Sequence, residues 1–201
     1  MARRGTLQFG INVSIDLHKL AAALKDVADS KERDKITYRA INDCLDRLNT
    51  VLKRDLQKWT GIKLQRRIAQ GMRIKRAGPG HLEGAVIIKD KHIVISKEYF
   101  GARFKKGDSG VSHTAWGRAQ VANRAFMIAG RKPAFHHIAN PSKHRGDLKV
   151  VWGPNPAREA QRHADEVRAS TQLIVLTHLI PRVTHGVDRA FKDAKGKHGA
   201  E

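Results

Sequence analysis

Residues 31–59 read KERDKITYRAINDCLDRLNTVLKRDLQKW, and the spacing of their apolar side chains decides the fold. Ile36, Ala40, Ile41, Cys44, Leu45, Leu48, Val51, Leu52, Leu56 and Trp59 recur at steps of three and four, the period of one helical face. Roughly 28 residues at 1.5 Å each predict a rod of about 42 Å. Asp29-Ser30 offers an N-cap for it, and Gly61 offers a stop. Ahead of the rod, Asp16 to Ala28 reads as a shorter amphipathic helix on Leu17, Leu20, Ala21, Leu24 and Ala28. Behind it, Ile62 to Ala69 reads as one or two more basic turns.

After Gly71 the period changes from 3.6 to 2. Met72 to Ala77 alternates apolar with basic residues, as a half-exposed strand does. Gly84–Lys89 and His92–Ser96 flank Asp90-Lys91 and predict a hairpin in the middle of a sheet. Gly101 to Gly117 is rich in Gly, Lys, Ser and His and reads as a mobile loop. Val121–Ala129 and Lys149–Trp152 are further strand candidates. Pro156 suits the first turn of a helix starting near Asn155, continuing to about Phe191 with a kink at Pro181. No internal repeat is visible.

The expected fold is therefore α+β, with a long amphipathic N-terminal helix packed on a mostly antiparallel sheet and helices at the C-terminus. One domain over 1–201 is expected: an arm over 1–15, a helical part over 16–70, a sheet over 71–153, helices over 154–191 and a frayed tail over 192–201. Apolar residues make up 40% of the 201, enough for a core, but aromatics only 5%, so that core rests on Leu, Ile, Val and Ala.

Charge is the strongest compositional signal. Lys and Arg number 39 against 19 Asp and Glu, a net +20 with the histidines neutral. Such a field favours polyanions, whether nucleic acid or acidic protein surfaces. Along the chain it is uneven: 18 basic against 8 acidic residues up to Arg76, 13 against 5 through Gly153, and 8 against 6 beyond. Arg66, Arg67, Arg73, Lys75 and Arg76 form a basic stripe at the end of the helical part, and Arg103, Lys105 and Lys106 lie in the Gly-rich loop. These suit phosphate contacts or an acidic neighbour, without base reading, since no zinc finger, helix-turn-helix signature or aromatic stacking pair accompanies them.

Candidates for chemistry are weak, and neither catalytic nor cofactor-binding nor metal-ligating residues are assigned. His136 and His137 are adjacent, so in a strand they point to opposite faces. His178 and His185 stand two helical turns apart, and His81, His92 and His113 lack a ligand partner at zinc-like spacing. No nucleophile elbow, zinc-protease motif or phosphate-binding glycine loop is present. Glu159, Asp165 and Glu166 lie early in a predicted helix, where they complement its positive end. Cys44 stands alone on the apolar stripe and reads as a buried thiol. The basic start is followed by no secretory apolar stretch, and the longest apolar run, Leu173–Ile180, is too short for a bilayer. The expectation is a cytoplasmic protein, or one assembled there, with no membrane partner.

From Phe100 the chain reads FGARFKKGDSGVSHTAWGR, followed at Asn123 by NRAFMI. This resembles the prophage minor tail protein Z family, in which a Phe-Gly-Ala-Arg stretch leads through a Lys-Lys-Gly-Val loop to a Trp-Gly pair and an Ala-Phe-Ile strand. Tyr38-Arg-Ala-Ile-Asn-Asp, Lys63-Leu-Gln-Arg-Arg-Ile and Leu179-Ile-Pro-Arg-Val fall in matching order. The chain departs from the pattern at Asp43, where the family has a basic residue, and at Asp108-Ser109, which interrupt the loop. The resemblance implies a structural virion protein of a tailed bacteriophage, located in the tail or neck. Its role there is tail completion at the head-proximal end, in a ring of identical subunits such as a hexamer. Its neighbours would be tail-tube, tail-terminator or connector proteins, with passing DNA as a further contact, and Trp116 beside the lysine loop as an apolar partner anchor. It implies no catalytic residue. The alternative is a stand-alone basic protein that binds nucleic acid without sequence preference.

Overall fold

A computed structural model describes residues 6–10, 30–104, 107, 109–137 and 147–198, with side chains at 31–104, 107, 109–137 and 147–192. The expected helix over Asp16–Ala28, and Lys105 and Lys106, lie outside the described residues. The fold is α+β. Strand β1 (Thr6–Gly10) precedes the long helix α1 (Ser30–Thr60) and the short α2 (Gln65–Ala69). Next come β2 (Met72–Lys75), β3 (Ala85–Lys89), α3 (Lys97–Phe100), β4 (Gly110–His113), a 3-10 turn (Ala115–Gly117), β5 (Gln120–Asn123), β6 (Ala125–Met127), β7 (Ala134–His137) and β8 (Leu148–Val150). Helices α4 (Pro156–Arg162) and α5 (Ala164–Ile174), a π-turn (Val175–Leu179) and α6 (Ile180–His198) complete it.

The chain divides into two compact units. The first comprises 1–7, 52–72 and 88–163, and the second 8–51, 73–87 and 164–201. The cut passes along α1, β2 and β3, so the long helix contributes a length to each.

In the second unit, Ala40, Ile41, Cys44, Leu45 and Leu48 of α1 are buried together with Ala85 and Val86 of β3. The seam is tight: a side chain at Gly84, just before β3, would run into Leu45. The C-terminal helices contribute Val167, Ile174, Val175, Leu179, Val183 and Val187, and α6 packs so close that a Cβ at Gly186 would stand 2.6 Å from Ile36. Truncating a fully buried leucine in such a core costs roughly 2–5 kcal/mol.

In the first unit, Leu52, Leu56, Ile62, Ile68, Ile88, Ile95, Phe100 and Val111 are almost wholly buried. β4 pairs antiparallel with β5, and β7 lies between β6 and β8, antiparallel to both. β3 is the central strand of β1-β3-β2, in line with its apolar residues on both faces.

Three local expectations are corrected. No hairpin forms around Asp90-Lys91: Val94 and Ser96 bridge singly to Trp152 and Pro133 instead. A two-residue hairpin turn needs positive φ, which Asn-Gly adopts readily and Asp-Lys does not. Asp90 is instead held by the Asn155 side-chain amide and lies 3.8 Å from the Arg158 guanidinium. The Gly-rich segment is partly ordered, with β4 and the 3-10 turn in its second half and Arg103 bridged to Ser112. The strand expected over 121–129 is two strands, because Arg124 takes φ 58 and breaks the pleat between β5 and β6.

The helix ends follow their sequence signals. Gly61 stops α1 at φ +70. Asn155 caps α4, accepting a hydrogen bond from the Ala157 N–H at 3.0 Å, with Pro156 in the first turn. Pro181 is accommodated by the widened π-turn immediately before it, which relieves the clash of its ring with the preceding turn.

Candidate interaction surfaces

Ile62 and Ile68 are buried on either side of a short basic run, which leaves Lys63 and Arg66 exposed and Arg67 half-buried beside α3. α3 begins at Ser96, whose hydroxyl accepts the Tyr99 N–H at 3.2 Å, and ends at Gly101 in the left-handed region. That short turn presents Glu98 between two cations, Arg66 at 3.2 Å and Lys132 at 3.2 Å. The hydrogen bond from Lys132, reinforced by Arg66, holds the Glu98 carboxyl below its ordinary range. The Arg67 guanidinium lies over the Tyr99 ring, 5.3 Å from its centroid. Lys63 completes the group: its backbone N–H donates to the Tyr99 carbonyl at 2.9 Å, and its ammonium lies beside Gly101. Of these residues the sequence reading had singled out Arg66 and Arg67. Lys63, Glu98 and Lys132 come together only through α3 and the bridge of Ser96 to Pro133.

Trp116 is half-buried and adopts φ 58, the left-handed region, directly before Gly117 at φ +67. Its indole N–H donates to the Glu159 carboxylate at 3.1 Å. Glu159 is 5% exposed and also takes the Arg162 guanidinium at 2.8 Å. The neighbouring Ala115 N–H donates to Nδ1 of the buried His113 at 3.2 Å, and burial lowers that imidazole's pKa from its ordinary value. This turn meets the end of α1, where a side chain at Gly61 would run into the Thr114 carbonyl and the Gly117 amide. Trp59, two residues before Gly61, stacks on His163 with ring centroids 4.3 Å apart. The Trp-Gly pair is thus built into the first unit by partners within it.

The stripe read across 66–76 falls in both units: Arg66 and Arg67 belong to the first, Arg73, Lys75 and Arg76 to the second. On β2, Arg73 and Lys75 are exposed, while Arg76 grips Asp46 with two hydrogen bonds at 2.8 and 3.1 Å. Arg103 is exposed, and its backbone exchanges hydrogen bonds with Ser112. Within the second unit a groove of about 830 Å³ runs between α1 and the C-terminal helices, lined in part by Asp43, Arg47, His178 and His185. Arg182 pairs with Asp43 across it at 2.9 Å. Leu173 and Leu176, on the outward face of the same helices, are 62% and 59% exposed.

The two units differ in charge far more than the stretches of sequence do. The segments of the first hold 23 Lys and Arg against 6 Asp and Glu; those of the second hold 16 against 13. Nearly all of the net +20 therefore belongs to the first unit. Among the described residues, no group of three or more His, Cys, Asp or Glu could hold a metal ion, and no helix is long and apolar enough to cross a membrane. No family model, curated protein or solved structure matches the chain.

Proposed function

We propose that this chain is a structural subunit of a tailed-bacteriophage virion, acting in tail completion at the head-proximal end of the tail, and that it is not an enzyme. The observation that carries the reading is the division of charge between the units. A subunit of a nucleic-acid channel has one part that tolerates or grips a polyanion and another that packs against protein. The first unit, with 23 cations to 6 anions, suits the former. The second, near balance and with Leu173 and Leu176 exposed, suits the latter. The Phe100–Gly117 motif adds support, because Phe100, Ala102 and Ala115 are buried and Gly101 and Trp116-Gly117 take left-handed backbone. A shared motif with such roles speaks for a shared framework.

In this reading copies associate in a ring, such as a hexamer, with tail-tube, tail-terminator or connector proteins as neighbours, after assembly in the host cytoplasm. The test is to purify particles that encode the chain and to locate it by mass spectrometry and electron microscopy of the neck. The expected result is a few copies per particle at the head-proximal tail end, and headless tails when the gene is deleted. Its absence from purified particles would defeat the proposal. The strength of charge in the first unit favours one second reading, a stand-alone protein binding nucleic acid without sequence preference. Full particle yield from the deletion, with salt-dependent duplex binding by the purified chain, is its signature.

A further inference from the structure

The first unit carries a concentrated cationic face whose ligand class is legible from what surrounds it. Arg66 and Lys132 flank one carboxylate, Glu98, while Arg67 lies over the neighbouring Tyr99 ring and the Lys63 ammonium beside Gly101 at the end of α3. The side chains of Arg66 and Lys132 remain 73% and 77% exposed despite that pairing. Exposed pairs of this kind hold little energy, so both cations are available to a stronger anion.

An acidic protein would need an apolar centre to dock on, since buried aromatic and aliphatic anchors carry most protein–protein affinity. The large exposed apolar side chains described in this unit are Phe104, Val121, Leu148 and Trp152, and none takes part in the contacts that assemble the face. Single-stranded nucleic acid would need free aromatic rings for stacking. The one ring here, Tyr99, is covered by Arg67. A duplex backbone asks only for spaced cations.

We propose that the face formed by α2, α3 and the turn before β7 binds the phosphate backbone of duplex nucleic acid without reading its sequence, with Glu98 as a built-in competitor for Arg66 and Lys132. The proposal stands whether the chain works in a particle or alone, and purified protein tests it separately from the particle experiment.

The probe is a 30-base-pair random-sequence DNA duplex, followed by fluorescence anisotropy across a KCl series, with circular dichroism melts confirming that each variant is folded. Arg66→Gln with Lys132→Gln should weaken binding and flatten the slope of log affinity against log salt by about 1.8, two phosphates' worth. Arg73→Gln with Lys75→Gln removes the same charge from the second unit and should leave the slope nearly unchanged. Glu98→Gln should tighten binding several-fold, an effect opposite in sign to any loss of folding. An equal slope loss in both double variants, or no gain in Glu98→Gln, would overturn the proposal. So would displacement of the duplex by polyglutamate at matched charge, which would make the face a dock for acidic protein, or tighter binding to a single strand of the same length.

Discussion

Trp116 and Glu159, 43 residues apart, are joined by a hydrogen bond from indole to buried carboxylate at 3.1 Å. The tryptophan holds a backbone conformation that costs an L-residue roughly 1–2 kcal/mol, so its surroundings must over-determine it. Glu159 and the end of α1 supply that constraint. Trp116→Phe keeps most of the ring's volume and removes the donor, leaving Glu159 with one fewer partner in a 5% exposed position. The expected loss of stability is about 1–3 kcal/mol in urea unfolding. A change below ~0.5 kcal/mol would mean that the bond contributes nothing net.

Gly61→Ala tests the other side of the same contact. The substitution puts a Cβ against the Thr114 carbonyl and the Gly117 amide, at a residue with φ +70. Backbone strain of about 1–2 kcal/mol adds to overpacking of about 1–3 kcal/mol, so the variant should melt well below the parent. Gly80→Ala shares the positive φ but meets nothing within 4 Å, and should show the backbone part alone.

His113 predicts a pH dependence of definite sign. Its Nδ1 accepts the Ala115 N–H, which requires a neutral ring, and burial lowers its pKa in the folded state below the ordinary 6.5. The unfolded chain therefore takes up the proton first. This contribution to stability is fully present above about pH 6.5 and is lost as pH falls from there through the folded pKa. Unfolding midpoints measured at intervals from pH 7.5 to 5 should fall. The fall should shrink in His113→Phe, and an identical slope in that variant would assign the effect to other groups.

Leu48→Ala reports on the long helix. Leu48 is 1% exposed, beside Cys44 and Leu45 in the second unit. The truncation should cost about 2–5 kcal/mol by chemical denaturation. The adjacent Cys44 thiol, with its pKa pushed up to about 11 by burial and by Asp43, should react slowly with thiol reagents in the parent and faster in the variant. Equal reaction rates would show that the truncation leaves the packing around Cys44 closed.

Helix α1 was legible in the sequence because ten apolar positions repeat its period, and its stop at Gly61 because only glycine is at ease at φ +70. The break at Arg124 was not legible, since arginine carries no signal for a left-handed backbone; its N–H is fixed by the distant Ser109 carbonyl at 2.8 Å. The cationic site was half legible for a similar reason. Arg66 and Arg67 stand in a visible basic run, but Glu98 reaches Arg66 from 32 residues away and Lys132 joins through Glu98, 34 residues from it. The charge division was hidden because each unit is assembled from three separate segments. Trp116 was expected to face a partner, and its hydrogen-bond acceptor lies on a helix whose acids had been assigned to the dipole.

The π-turn before Pro181 bears on how this helix keeps its phase. Val175, Leu179, Val183 and Val187 are all buried, yet they are spaced by four, and in a straight α-helix each such step overshoots a full turn by about 40°. A π-turn takes more residues to complete a revolution, so the one at Val175–Leu179 absorbs part of that drift and holds the later valines in register with the earlier ones. In effect the chain carries the equivalent of a one-residue insertion there. Deleting Thr177 should yield a more regular helix and a less stable protein, because Val183 and Val187 would rotate off the core.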